Sequence, residues 1–399
     1  MSNSIQEILN PIKSNLKIKV LLVDDQMIVG ETVKRMFADE SDIELHFCQQ
    51  PAEAIKTAQD IEPTVILQDL VMPDIDGLTL VKFYRASAKL KDIPIIVLSS
   101  KEEATTKAES FSVGANDYLV KLPDKIELIA RIRYHSQGYI NLLERNLAYE
   151  SLEKSQNALA RELAKAGEYV VSLLPPPIKN NEVDTFWRFI PSAQLGGDAF
   201  GYHWLDSDNF AMYLLDVCGH GVGSALMSVS ALNVLRGESL AGADYKDPAS
   251  LLAALNRSYQ MSDHNGLYFT IWYGVFNKQS KTLKYASGGH PPAFVKLPNG
   301  ENLQLANDNF IIGGLPEFPY TSSEVQLELP AEIFIYSDGV YEIEKPDGII
   351  WELDEMFDFV IKNPGKDYFE IDNLLAYIKE LSGKDILDDD YSMMKIVLK

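Results

Sequence analysis

The stretch 126–174 constrains this chain more than any other. It holds no proline and only two glycines, Gly138 and Gly167, and is rich in Leu, Ala, Glu, Lys, Arg and Gln, residues that lose little rotamer freedom in a helix. Its apolar positions recur at three- and four-residue steps through Ile129, Ile132, Tyr139, Leu142, Tyr149, Leu152, Leu159, Leu163, Val170 and Leu173, with Asn146 and Gln156 interrupting the seam. The spacing predicts one long helix with a narrow apolar stripe. It stops at Pro175, Pro176 and Pro177, because proline lacks the amide donor and excludes the α region for the residue before it. A stripe this narrow suits a linker that pairs with a second copy in a coiled coil; the alternative is an amphipathic helix lying on one domain. The chain then divides into an N-terminal extension at 1–16, a domain at 17–128, the helical linker at 129–178 and a second domain at 182–399.

The totals agree with two globular domains on either side of a linker. The 399 residues are 46% hydrophobic and 24% charged, enough for each domain to bury its own core. The formal net charge of −22 repels nucleic-acid phosphates and anionic membranes, so neither is expected as a partner. Cys48 and Cys218 stand alone, without metal-ligand spacing or a disulfide framework. No window reads as a signal peptide or a bilayer span, and the expectation is a soluble cytoplasmic protein.

Between 17 and 128, short apolar runs at 18–23, 43–47, 64–67, 95–98 and 117–120 alternate with helical patterns at 28–39, 51–59, 78–87 and 104–113. Nearly continuous Val, Ile and Leu in the strands suits a parallel sheet covered on both faces. The fold class is therefore α/β, doubly wound, with its ligand site at the carboxyl ends of the strands. Asp24, Asp25, Asp69, Ser99 and Lys121 all fall at such ends. Three carboxylates in one cleft repel one another unless a cation lies between them, and oxygen-only ligation suits Mg²⁺. A lysine and a hydroxyl opposite would hold phosphoryl oxygens, leaving Asp69 as a nucleophile that accepts a phosphoryl group.

With its motifs Leu22-Val23-Asp24-Asp25, Leu67-Gln68-Asp69-Leu70-Val71-Met72-Pro73-Asp74-Ile75-Asp76-Gly77, Val97-Leu98-Ser99-Ser100 and Asp117-Tyr118-Leu119-Val120-Lys121, the segment resembles a two-component receiver domain of flavodoxin-like fold. The resemblance implies Asp69 as phosphoacceptor, Mg²⁺ at Asp24, Asp25 and Asp69, phosphoryl contacts from Ser99 and Lys121, Tyr118 as the switch aromatic, and a cognate sensor histidine kinase. One departure is Leu122, which separates Lys121 from Pro123 where receivers usually carry proline directly after the lysine.

After the proline stop, strands follow in succession at 184–190, 198–205, 210–217, 268–277, 282–287, 293–297, 325–329, 333–337 and 391–398, with helices at 223–236, 248–262, 354–361 and 372–381. This rhythm predicts an α+β sandwich. Asp198, Asp216, Asp338 and Asp389 interrupt its strands or turns beside glycines or further acids. Buried carboxylates need cations or water between them, and an all-oxygen set favours Mn²⁺ or Mg²⁺ over zinc.

The ordered motifs Gly196-Gly197-Asp198, Asp216-Val217-Cys218-Gly219-His220-Gly221, Ser287-Gly288-Gly289-His290-Pro291-Pro292, Tyr336-Ser337-Asp338-Gly339-Val340 and Asp389-Asp390-Tyr391-Ser392 resemble the PP2C-type phosphatases of the bacterial sporulation and stress-module branch. The resemblance implies two Mn²⁺ or Mg²⁺ ions held by Asp198, Asp216, the Val217 carbonyl, Asp338 and Asp389, with Asp198 and Asp216 holding a metal-bridging water, and substrate contact at His220 and His290. Ala199, Phe200 and Gly201 depart from the family's usual run after Gly-Gly-Asp, and Cys218 stands where a small hydroxyl residue is common; it reads as a packing residue. Gly-Gly-Asp-Ala-Phe superficially matches diguanylate cyclases, but Ala199 replaces the acid required there. The function implied is a response regulator whose Asp69 phosphorylation controls a serine/threonine phosphatase acting on a phosphorylated anti-sigma-factor antagonist, as a homodimer through the linker. The alternative is a non-catalytic, phospho-regulated adaptor that binds a sigma factor or its regulator.

Overall fold

The computed structural model describes residues 17–399 apart from 74, 101 and 193–194; the predicted extension at 1–16 lies outside the described residues. The chain forms two compact units that divide at Gln156 and Asn157.

The first unit runs β1 (Ile18–Val23), α1 (Met27–Met36), β2 (Ile43–Cys48), α2 (Ala54–Ile61), β3 (Val65–Asp69), α3 (Gly77–Ala86), β4 (Ile95–Ser99), α4 (Ala104–Ser112), β5 (Asp117–Val120) and the start of α5 (Lys125–Ser172). All neighbours in the sheet β2-β1-β3-β4-β5 are parallel, and β3 and β4 are buried along their whole length, as their unbroken apolar runs require. Successive strand residues enter opposite layers. Leu21, Ile66 and Val97 pack with Ala58 of α2 and Leu80, Val81 and Tyr84 of α3. Val20, Leu22, Leu67, Ile96 and Leu98 pack with Val29 and Val33 of α1 and with Leu128, Ile129 and Ile132 of α5.

The first turns of α5 thus complete the core of this unit, and polar contacts fix them there. Arg131 places Nη1 2.7 Å from Asp117, the first residue of β5, and His135 Nε2 lies 3.0 Å from the same carboxylate. Arg133 pairs with Glu40 at 2.6 Å and Asp42 at 2.9 Å. Farther along, the helix is exposed all round through 145–159, including Leu147, Tyr149, Leu152 and Leu159. It continues unbroken to Ser172 and ends before the three prolines.

The second unit contains β6 (Val183–Ile190), β7 (Ala199–Trp204), β8 (Asn209–Val217), α6 (Val222–Arg236), α7 (Pro248–Ser258), β9 (Phe269–Asn277), β10 (Thr282–Gly288), β11 (Ala293–Lys296), β12 (Asn302–Leu305), β13 (Ser323–Gln326), β14 (Ala331–Tyr336), β15 (Ile343–Glu344), β16 (Ile350–Trp351), α8 (Leu353–Lys362), α9 (Phe369–Ser382) and β17 (Tyr391–Leu398). Two five-stranded sheets, β13-β10-β9-β8-β7 and β12-β11-β14-β17-β6, form its centre. Met227, Leu232, Leu251 and Leu255 of α6 and α7 join the core shared by both sheets. Val360, Ile371, Leu374 and Ile378 of α8 and α9 cover Phe186, Phe294, Phe334 and Tyr336 of the second sheet. The result is the α+β sandwich, with helices on its outer faces.

Three strands were not predicted. β12 is an edge strand with Asn302 and Gln304 exposed, and β15 and β16 are two-residue pieces, too short for an alternation signal. The helix predicted at 248–262 ends at Ser258 and resumes as a short 3₁₀ turn at Met261–Asp263. The break is tertiary: Gly313 accepts a hydrogen bond from Met261 N and donates one to the Asn256 side chain.

A four-residue ion network closes the second sheet's helix-covered face. The Lys395 ammonium, 1% exposed, lies against the Glu370 carboxylate and 3.0 Å from Glu332, while Lys296 sits 2.7 Å from Glu370. The charges balance, so the burial is compensated within the set.

Candidate functional site

In the first unit, strand register alone assembles the acidic cleft. β1 and β3 are neighbours with Val23 beside Gln68, so Asp24 and Asp69 emerge side by side. Ser99 ends β4 opposite Val120, which brings Lys121 to the same edge. Lys121 Nζ lies 2.6 Å from Asp24 Oδ2 and 2.8 Å from Asp69 Oδ2. Asp24, Asp25 and Asp69 each place one carboxylate oxygen within 4.8 Å of the others, and they are the only such acidic trio among the described residues. Asp25 Oδ1 is buried without a hydrogen-bond partner, which fits a cation ligand. Burial pushes the Asp69 carboxyl up, against the opposing pull of Lys121. Burial would lower Lys121, but Asp24 and Asp69 outweigh it and hold its ammonium above the usual range.

Two backbone features lie at this cleft. A Cβ on Gly77 would lie 2.0 Å from the Asp69 carbonyl oxygen, so only glycine lets α3 start this close to the end of β3. The Lys121–Leu122 peptide, where proline was expected, is cis. Tyr118 is buried, with Lys107 Nζ 5.6 Å from its ring centroid.

In the second unit, both sheets deliver carboxylates to one end. Ala199 opens β7 opposite Leu215 of β8, which sets Asp198 next to Asp216. β14 and β17 run antiparallel with Tyr336 opposite Met393, so the turn after β14 that carries Asp338 meets the segment before β17, where a Cβ on Gly339 would stand 3.2 Å from the Asp389 Cβ. The two pairs feel each other: burial pushes Asp216 up to about 7, and Asp338 and Asp389 add to the rise. Asp198 is 1% exposed with no well-formed hydrogen bond to either oxygen. Burial, then Asp216 and Asp390, drive its carboxyl well up, and the nearby Ser392 and Ser337 hydroxyls offset little of this. Asp338 and Asp389 are raised too, mainly by lost solvent. Among the described residues no cation answers these four charges at ion-pair distance, and no three of the four carboxylates bring ligand oxygens within 4.8 Å of one another; their oxygen-only chemistry is that of a hard divalent-ion site.

Glycines bring the motif loops into contact. A Cβ on Gly197 would stand 2.6 Å from the Val217 carbonyl oxygen, so the Gly-Gly-Asp turn lies directly on the backbone after Asp216. Gly219 and Gly221 adopt φ of +77° and +96° and leave His220 exposed between them, near enough to lower the Asp389 carboxyl. His290 is placed differently from His220. It is buried, its Nδ1 lies 2.8 Å from Thr270 Oγ1, and burial drops its imidazole to about 3, so the ring is neutral. Cys218 is half-buried, and its Sγ accepts the Tyr268 amide at 3.3 Å.

Sequence reasoning missed Asp390. It is the buried member of the 388–390 acidic run, and its carboxylate accepts from Ser192 N at 2.8 Å, Ser192 Oγ at 3.1 Å and Gly197 N at 2.7 Å.

Comparison with known proteins agrees with both halves. Residues 20–133 match the response regulator receiver domain family, and residues 206–399 match the stage II sporulation protein E (SpoIIE) family. The chain is therefore a receiver domain joined to a PP2C-type domain of the SpoIIE family. It is 27% identical over 186 residues to the phosphoserine phosphatase RsbP of Bacillus subtilis, covering 46% of this chain and 45% of that protein. Over 115 residues it is 32% identical to the transcriptional regulatory protein SrrA of Staphylococcus aureus, covering 29% of this chain and 46% of the relative. The chain thus spans less than half the length of these curated relatives. The SiaA PP2C domain of Pseudomonas aeruginosa shares its fold with a TM-score of 0.52 at 18% identity, over 61% of this chain and 99% of that one. Among the described residues no helix is long and apolar enough to cross a membrane.

Proposed function

We propose that this chain is a response regulator whose output is a Mn²⁺- or Mg²⁺-dependent phosphoserine/phosphothreonine protein phosphatase. The observation that carries the reading is Asp198, a buried carboxylate with no well-formed hydrogen bond, set beside Asp216, whose own carboxyl feels Asp338 and Asp389. These four side chains, with the Val217 carbonyl, would hold two divalent ions. Bound there, the ions supply an activated water and neutralise phosphate charge for direct hydrolysis of a phosphomonoester. With the ions in place, Asp198 and Asp216 would orient that water. His220 lies at the rim, where it can meet the substrate phosphate. His290, buried and neutral, holds Thr270, which sits opposite Asp216 in the ladder, and does not contact substrate.

In the receiver, Asp69 takes a phosphoryl group from the phosphohistidine of a sensor kinase, forming an acyl phosphate. Lys121 and Ser99 would hold its oxygens, and Asp24, Asp25 and Asp69 would hold Mg²⁺. The signal leaves through β5, which carries Asp117 and Tyr118 and is tied to α5 by Arg131 and His135. The exposed apolar residues Leu147, Tyr149, Leu152 and Leu159 pair with a second copy, and phosphorylation alters that pairing. Resemblance to RsbP supports a phosphoserine substrate, and the domain combination supports a phosphorylated anti-sigma-factor antagonist in the cytoplasm.

The test is hydrolysis of an aryl phosphate and of a phosphoserine protein with Mn²⁺ added or chelated. Metal-dependent turnover that disappears in Asp216→Ala is expected. No turnover with any metal or phosphorylation state would reject the phosphatase and leave the adaptor. Light scattering that shows only monomer at micromolar concentration, with and without phosphoryl donor, would reject the linker dimer.

A further inference from the structure

Asp390 stands beside a proposed ligand but makes contacts of another kind. Its two oxygens are used by protein donors: Oδ1 by the Ser192 amide and hydroxyl, Oδ2 by the Gly197 amide. The side chain is 5% exposed, so these charge-assisted bonds form away from competing water. Gly196 completes the fit, because a Cβ there would lie 2.3 Å from Asp390 Oδ2. On the other side, the Asp390 carbonyl accepts Ser337 Oγ at 3.1 Å, and a Cβ on Gly339 would approach it to 2.3 Å. One residue therefore touches the loop before Asp198, the turn that carries Asp338, and its own neighbour Asp389.

From this geometry we infer that Asp390 is a positioning residue: its carboxylate clamps the Ser192 and Gly197 amides and so sets where the Asp198 carboxylate stands relative to Asp216, Asp338 and Asp389. The inference rests on the phosphatase reading for its effect on metal, while the clamp itself holds without any ion. Asp198 has no well-formed hydrogen bond of its own to fix it, so its placement depends on the backbone that carries it. A carboxylate whose oxygens already accept three donor bonds is poorly suited to be a ligand as well, which separates the role of Asp390 from that of Asp389 although the two are adjacent.

The test compares wild type, Asp390→Asn and Ser192→Ala in the full chain, by two measurements. In chelator, amide hydrogen exchange of the peptide covering 191–199 is expected to rise at least tenfold in Asp390→Asn and to a smaller extent in Ser192→Ala, with peptides from β9 and β10 unchanged. In Mn²⁺, the concentration giving half-maximal turnover is expected to rise about tenfold in Asp390→Asn, the range seen when a group supporting a metal ligand is removed, with saturating Mn²⁺ restoring most of kcat. Unchanged exchange at 191–199 in Asp390→Asn would overturn the clamp. Loss of turnover that no Mn²⁺ concentration restores, with exchange unchanged, would make Asp390 a ligand and overturn it as well. Absence of Mn²⁺-dependent turnover in wild type would reject the phosphatase reading, and the exchange result in chelator would still decide the clamp.

Discussion

A cluster built to hold cations should weaken the protein when they are removed, and Asp216 gives the size and sign. Its carboxyl rises from 3.8 to about 7, first through burial and then through Asp338 and Asp389. At ~1.4 kcal/mol per pH unit this corresponds to a ceiling of roughly 4 kcal/mol, shared among coupled groups. The folded state keeps this proton up to near pH 7, whereas the unfolded state loses it near 4. Between those values the folded chain binds more protons, so stability falls as pH rises, and the loss is complete by pH 8. The perturbation is Asp216→Asn, which removes the charge and keeps the shape. In chelator at pH 8 the variant should be more stable than wild type by roughly 2–4 kcal/mol, a rise in Tm of about 5–10 °C for a domain of this size. The assay is thermal unfolding followed by tryptophan fluorescence, since Trp187, Trp204, Trp272 and Trp351 all lie in the second unit. Wild type in chelator should lose Tm from pH 5.5 to 8 more steeply than the variant, and Mn²⁺ should reverse the order by stabilising wild type alone. An Asp216→Asn Tm at or below wild type in chelator at pH 8 would refute the reasoning.

The remaining expectations are structural. Lys395→Met leaves Glu370 and Glu332 with Lys296 as their one remaining cation and should cost about 3–5 kcal/mol in urea unfolding, with part of the loss recovered in the Lys395→Met/Glu370→Leu double variant; a loss below about 1 kcal/mol would contradict a tightly coupled network. Gly77→Ala forces a methyl against the Asp69 carbonyl and should abolish phosphoryl uptake from a small-molecule donor, measured by Phos-tag electrophoresis. Gly138→Ala meets nothing within 4 Å in the middle of α5 and should stabilise by about 0.5–1 kcal/mol; destabilisation there would mean the helix surface at Gly138 is covered.

The receiver was legible because each of its signals is local. Every strand is a short apolar run, and Asp24, Asp69, Ser99 and Lys121 each end a strand or directly follow one, so the parallel order carries them all to one edge of the sheet. The long helix was equally plain, ending within two residues of its predicted stop. The sequence did not reveal how deeply α5 enters the receiver, because Ile129 and Ile132 look the same whether they face a partner helix or a home core. In the second unit the four carboxylates were found from their motifs, but the separate roles of Asp388, Asp389 and Asp390 were not. Three successive acids carry no periodicity; only the pairing of Tyr391 with Ile190 turns Asp390 inward to the Gly-Gly-Asp loop. His290 likewise looked equivalent to His220 until its burial against Thr270 was seen.

The central claim is that one chain joins a phosphorylatable receiver to a metal-dependent phosphatase. The most direct measurement is the steady-state rate of phosphoserine-protein hydrolysis by the full chain in Mn²⁺, with and without a phosphoryl donor, beside Asp69→Asn. The account predicts a rate that changes with the donor in wild type and stays fixed in Asp69→Asn, both rates vanishing in chelator. A wild-type rate that ignores the donor, or one that survives chelation, would contradict it.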